Sequence, residues 1–259
     1  MAKRKIREEE DDESGAVLIS VKQVIFSKKI SLRSIGASPR CRRSNRRVHR
    51  FANSRHQGML NSGLFDCYLR NLWRNFPEDK ISDFIYLDCL WFSLYTEESY
   101  KGEVLTWIKN KHIFSKKYVF IPIVLWSHWN LLIICNFGGS SQLELKTSCM
   151  LLLDSLRMAD DPMRLEPLIR KFALDIYEAE AMPKSKARVS QIPLLVPEVP
   201  QQRNEKDCGY FVLYYISKFV NGAPENFCIT EGYTCFMKED WFDLEDFNGF
   251  RDKLKSDSI

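Results

Sequence analysis

This 259-residue sequence lacks several features, and each absence removes a class of function. No stretch approaches the roughly 18 uninterrupted apolar residues that a membrane-spanning helix requires. The first residues are charged where a secretory signal would be apolar, so a protein that stays inside the cell is expected. The eight cysteines (41, 67, 89, 135, 149, 208, 228 and 235) include no Cys-x-x-Cys pair and no Cys/His cluster at zinc spacing. Neither a disulfide framework nor a metal is expected, and no cofactor is called for; in a reducing compartment most of these thiols read as core residues. Internal repeats are missing too, which excludes solenoids and propellers. Histidine is scarce: only positions 49, 56, 112 and 128 carry one.

What is present is an apolar content of 45%, enough to bury a full core, so one main domain with an appendage is the natural division. The net charge of +4 conceals an asymmetry. Residues 1–58 hold 15 Lys and Arg against 6 Asp and Glu, a balance of +9, while the remainder carries −5. Lys3-Arg4-Lys5 precedes an acidic run from Glu8 to Glu13, and Arg40, Arg42, Arg43, Arg46, Arg47 and Arg50 crowd together. Such charge repels itself, so residues 1–58 are expected to be a basic, largely disordered extension ahead of a domain spanning 59–259. The arginines suit a nuclear-import address or a nucleic-acid contact, and a merely solvated tail fits them equally well. Val17 to Phe26 is apolar enough for a strand or a docking segment.

From about Leu60 the pattern is globular. Leu64, Leu69, Leu72 and Trp73 predict a first helix ending near Pro77; Phe84, Leu87, Trp91 and Leu94 a second; Val104, Trp107 and Ile108 a third. The period then changes to that of strands. Tyr118 to Val124 and Trp129 to Cys135 read as an antiparallel pair, Phe137-Gly138-Gly139-Ser140 as a turn, and Met150 to Leu153 as a buried strand. Asp160-Asp161-Pro162 opens a long amphipathic helix through Leu165, Leu168, Ile169, Phe172 and Ile176. A polar loop over 182–191, a short strand from Ile192 to Val196, and a closing helix from Asp240 to Leu254 complete an α+β arrangement, a mixed sheet packed between helices.

The segment Gln201-Gln202-Arg203-Asn204-Glu205-Lys206-Asp207-Cys208-Gly209 leads into an apolar run in which Phe211, Val212, Tyr215, Ile216 and Phe219 recur at helical spacing. Cys208 thus falls in the first turn of a helix with one buried face, where unpaired N–H groups and the helix dipole favour the thiolate. Asp207 supplies an acceptor beside that turn, and Gly209 admits close approach of another chain. His128 opens one strand and Asp154 ends another; a sheet aligning the two puts both at one edge, where the Cys208 helix can meet them. The imidazole then takes the thiol proton and the carboxylate orients the ring. The side-chain amide of Gln202 and the backbone N–H of Cys208 are the candidate oxyanion donors. Taken singly, each residue has a structural alternative: a packed cysteine, a hydrogen-bonded core histidine, a turn aspartate, a solvated glutamine. The other three histidines sit in charged surroundings without the tryptophans that flank His128.

The blocks Tyr118 to Ile123, His128-Trp129-Asn130 to Cys135, Leu152-Leu153-Asp154-Ser155 and Pro200 to Gly209 resemble the ubiquitin-like-protein-specific cysteine proteases, the Ulp or sentrin-protease family. The likeness runs from about Leu60 to Phe227. It implies an adenain-like, papain-like α+β fold, a catalytic set of His128, Asp154, Gln202 and Cys208, and an isopeptidase that removes SUMO from proteins and processes its precursor. The implied partners are SUMO or another ubiquitin-like modifier and its conjugates; a monomer in the nucleus is expected. Trp129 matches the tryptophan that lines the family's narrow tunnel for the modifier's C-terminal Gly-Gly, a slot only glycine fits. The family's aromatic-Leu/Val-Asn-Asp is replaced here by Met59-Leu60-Asn61-Ser62, which bears on which modifier is cut. A protease for ubiquitin or a Nedd-type modifier, a Yop-type acetyltransferase with the same His, acid, Cys order, and a catalytically inactive modifier-binding module are the alternatives.

Overall fold

The computed structural model describes residues 59–138, 148–157, 161–181, 186–223 and 237–256. The expectations for the 1–58 tail, for Gly139-Ser140 and for Asp160 lie outside them. Helix α1 (Ser62–Arg74) starts at Asn61, whose side chain accepts the Leu64 N–H, and stops at Asn75 ahead of Pro77. A short helix α2 (Glu78–Ile81) leads to strand β1 (Phe84–Tyr86). Helices α3 (Trp91–Tyr95) and α4 (Glu98–Lys109) follow, then β2 (Tyr118–Leu125), β3 (His128–Cys135) and β4 (Cys149–Leu153). Helix α5 (Glu166–Ala179), short α6 (Lys186–Ser190), β5 (Leu194–Leu195), α7 (Cys208–Gly222) and α8 (Leu244–Ser256) complete the order.

Among the described residues the strands form one sheet in the order β1 to β5. Strands β2, β3 and β4 are antiparallel neighbours, while β1 runs parallel to β2 and β5 parallel to β4. The central strands are apolar at nearly every position because both faces are covered. Trp129, Leu131, Ile133 and Cys135 of β3 pack in the cluster that includes α7. Toward the other side, α3 contacts β2, and Phe92 and Tyr95 meet Phe172 of α5 edge-on. Phe219 of α7 stands edge-on to Phe84, Tyr118 and Phe120, tying the helix to β1 and β2. Burying a ring of that size contributes about 1.5–3 kcal/mol.

Five expectations are corrected. Phe84 and Leu87 do not belong to a helix: Phe84 stacks on Tyr118 and Phe120, and the β2 edge takes residues 84–86 as a parallel strand, so only Trp91 and Leu94 are helical. The loop expected over 182–191 contains helix α6 from Lys186, while the strand expected from Ile192 to Val196 is reduced to two paired residues. The closing helix begins at Leu244 because Trp241 and Phe242 leave the chain's path to pack on Tyr215 and Tyr214. Finally, α7 has more than one buried face: Tyr210 to Ile216 are all buried, since α1 and α8 cover the sides that the sheet leaves open.

Candidate active site

Strands β3 and β4 pair with Leu131 opposite Leu153, so the first residue of β3 and the residue just past β4 fall at the same end of the sheet. These are His128 and Asp154. Their side chains meet there, His128 Nε2 lying 2.8 Å from Asp154 Oδ1. The carboxylate is held on its own account: Oδ1 also accepts the Leu156 N–H at 2.8 Å, and Gln201 Nε2 donates to the Asp154 carbonyl at 2.9 Å. With Nε2 so engaged, Nδ1 is the ring nitrogen left for Cys208, whose side chain is among the groups that raise the pKa of the imidazole. Burial pulls the His128 pKa down. The hydrogen bond to Asp154, the one to Cys208 and the charges of both partners outweigh it and raise the pKa to about 9. The ring is therefore an imidazolium at neutral pH.

Cys208 is the first residue of α7 and is almost fully buried. The opening N–H groups of a helix have no intrahelical acceptor and carry its positive end, so they face the sulfur with donors to spare. Asp207 does not cap them. Its Oδ2 is taken by Asn204 Nδ2 at 2.9 Å and by Arg251 of α8 at 2.8 Å, which pins the residue before the cysteine to the last helix. Asn204 in turn accepts the N–H groups of Lys206 and Asp207, winding the loop about its own side chain. The loop's start is fastened from behind by Tyr215, whose hydroxyl donates to the Pro200 carbonyl.

Gln202 is buried beside this loop. Its Oε1 accepts from Ser155 Oγ at 2.6 Å, its backbone N–H donates to the Ser155 carbonyl, and its Nε2 donates to the Asn204 carbonyl. One of the two amide protons is thereby used and one remains. Trp129 is buried, stacked on Phe65 with centroids 4.2 Å apart. A Cβ on Gly209 would stand 3.0 Å from Leu60 Cβ and 3.4 Å from the Trp129 indole nitrogen. The close approach that glycine permits there is thus made by Leu60 of this same chain, with the indole behind it.

The hairpin leading into His128 is tight. Leu125 pairs with His128, so Trp126 and Ser127 form a two-residue turn, both left-handed at φ 50 and 67. That conformation suits Asn-Gly, and a side-chain-bearing residue in it costs about 1–2 kcal/mol.

A buried thiol at a helix N-terminus, a charged imidazole and an orienting carboxylate make up a nucleophilic acyl-transfer arrangement. The model of the Ulp1 protease family, C-terminal catalytic domain, matches residues 91–258. This chain belongs to the Ulp1 protease family. It is similar to the probable ubiquitin-like-specific protease 2A of Arabidopsis thaliana, 28% identical over 203 residues covering 71% of this chain and 26% of that one. It is also similar to ubiquitin-like-specific protease 2 of Saccharomyces cerevisiae, 30% identical over 184 residues covering 60% of this chain and 17% of that one. The chain thus spans less than a third of the length of either relative. A solved structure described as the de-sumoylating protease shares the fold, with a TM-score of 0.57 and 24% identity over 76% of this chain and 79% of that one.

In this Ulp1-family chain, sequence reasoning passed over the residues that hold the site from outside. Ser155 is fully buried and grips Gln202, Gln201 braces Asp154 and Val199, and Arg251 reaches Asp207. The second of two polar residues after an apolar strand is the available signal for Ser155; Arg251, on a solvent-facing helix pattern, gives none.

Proposed function

We propose that the chain is a cysteine isopeptidase that cleaves after the C-terminal Gly-Gly of SUMO, freeing it from target lysines and maturing its precursor. The observation that carries this is the 2.8 Å contact of His128 Nε2 with Asp154 Oδ1, with Cys208 at the start of α7 near enough to the same imidazole to raise its pKa. Family membership supports the protease over an acetyltransferase, as do relatives named ubiquitin-like-specific and sentrin-specific proteases. The Cys208 thiolate attacks the glycine carbonyl, and the oxyanion is met by the Cys208 N–H and the remaining Gln202 amide proton. As the carbon–nitrogen bond breaks, His128 gives its proton to the departing lysine amine, leaving a thioester. Water, deprotonated by His128, attacks that thioester and releases the modifier's carboxylate and the thiol. Trp129 and Leu60, beside Gly209, are proposed walls of the slot that admits only glycine.

A SUMO probe with an electrophilic C-terminus tests the reading. Wild-type protein should become labelled on Cys208, and Cys208→Ala should lose both labelling and cleavage with an unchanged melting temperature. An adduct on another residue, or cleavage retained by the variant, overturns it. A second reading, another ubiquitin-like modifier, is favoured by Met59, a half-buried residue standing where the family carries an aromatic. The same probe made from the Nedd-type modifier and from ubiquitin decides between them.

Residues 1–58 are proposed to be a separate basic extension that brings a monomeric domain to the nucleus. Loss of nuclear accumulation on deleting them is the expected result. Among the described residues, no helix is long and apolar enough to cross a membrane.

A further inference from the structure

The β2–β3 hairpin carries a feature that cleavage chemistry leaves unused. Trp126 and Met163 are the two exposed large hydrophobics among the described residues, and Trp126, at 63% exposure, is the more open. It sits two residues from His128 in a left-handed turn that a tryptophan adopts only against its intrinsic preference. The ring is not loose. The Arg164 guanidinium lies 4.2 Å from its centroid, which covers one face and fixes the plane, so the exposed face is the other. Arg164 follows Met163 on the 3-10 turn Pro162–Leu165, so the same contact brings that second exposed side chain's turn onto the hairpin. An indole left largely in water in a strained turn buries little apolar surface. Strain kept beside a catalytic group marks a binding element.

The direction of the reaction says what lies there. His128 hands its proton to the leaving amine, so the leaving amine stands on the His128 side of the scissile bond, opposite the modifier. The chain that leads directly into His128 is the tip of its own hairpin, Trp126 and Ser127. In an isopeptide the leaving group is a lysine side chain: four methylenes followed by the target protein's backbone. We infer that Trp126, with the Arg164 guanidinium over one face, is a specificity-determining platform for the leaving side. It packs on the methylene stem of the acceptor lysine and on the apolar residues next to it. The inference rests on the proposed isopeptidase reading and adds to it the half of the substrate that is not the modifier.

Two substrates separate the halves. One is SUMO carrying aminomethylcoumarin on its last glycine, whose leaving amine is flat and short. The other is SUMO joined through an isopeptide to the lysine of a peptide with apolar neighbours. The variant is Trp126→Gly, which removes the ring while suiting the left-handed backbone, so the hairpin should fold at least as well. The ratio of kcat/KM on the peptide conjugate to that on the coumarin substrate is expected to fall about tenfold, most of it in KM. Arg164→Ala, which frees the ring, should lower the ratio by about threefold. A ratio unchanged in Trp126→Gly, or equal losses on both substrates, overturns the inference alone. A wild-type protein inert toward the coumarin substrate overturns the isopeptidase reading and the inference with it.

Discussion

The His128–Asp154 pair is the point at which a small change should have the largest calculable effect. Asp154→Asn keeps the side chain's size and an acceptor oxygen but removes the anion that faces Nε2. Raising the His128 pKa from 6.5 to about 9 corresponds to roughly 3 kcal/mol in favour of the imidazolium, at about 1.36 kcal/mol per pH unit. Burial, which lowers the pKa, and the Cys208 contributions, which raise it, both remain in the variant, so the pKa of His128 should fall clearly below 9. At pH 7.5 the imidazole of the wild type is about 97% protonated, and each unit by which the pKa falls lowers the charged-to-neutral ratio about tenfold. Together with loss of ring orientation, this should lower kcat/KM by about 100-fold to 1,000-fold. The assay is the rate of Cys208 alkylation by iodoacetamide against pH, beside an NMR titration of the imidazole. Wild-type protein should lose its imidazolium around pH 9, and the variant should lose it at clearly lower pH. The linkage has a definite sign. A pKa raised on folding stabilises the native state fully below about 6.5, and that contribution is lost as pH rises through about 9. The melting temperature of the wild type should therefore decline across that window, and the variant's should decline less. An imidazole titration left near 9 in Asp154→Asn would refute the assignment of the shift to Asp154.

Gln202→Ala should lower kcat about 100-fold on a coumarin substrate through loss of an oxyanion donor, and cost about 1–3 kcal/mol because buried Ser155 loses its acceptor. Gln202→Glu keeps an acceptor for Ser155 but sets a buried carboxylate oxygen against the Asn204 carbonyl, so it should recover neither the rate nor the full stability measured by urea unfolding; full activity in either variant counts against Gln202 as a donor. Arg251→Ala leaves Asp207 with only Asn204 and should lower stability by about 2 kcal/mol. Pairing it with Asp207→Asn should cost less than the two separate losses added, and strict additivity would show that the contact carries no coupling.

Much of the fold could be read without coordinates where the signal was local. The β-branched and aromatic runs at 118–125 and 128–135 are strands because their residues suit a pleated, doubly covered surface. The run after Cys208 is a helix because its apolar residues recur at helical spacing. The helix α1 start, with Asn61 as cap, was equally local in cause but went unnoticed among residues taken for an altered motif. The three residues of β1 could not be read this way. Three positions are too few to define a period, and their state is set by the free edge of β2.

The candidate site divides along the same line. Residue types and order, His128 then Asp154 then Cys208, with glutamine and glycine around the cysteine, belong to the sequence itself, as does the likeness to the Ulp1 family. Their meeting does not. Asp154 is brought to His128 by the register of β3 against β4, and Cys208 by the packing of α7 on the sheet, contacts between residues 26 and more positions apart. Leu60 against Gly209, Arg251 on Asp207 and Arg164 on Trp126 likewise exist only once distant elements pack. Periodicity and capping act over one or two turns of chain, so a sequence fixes elements and chemistry at that range. Distances between elements depend on how their buried faces fill a common core, and that is settled only by the fold as a whole.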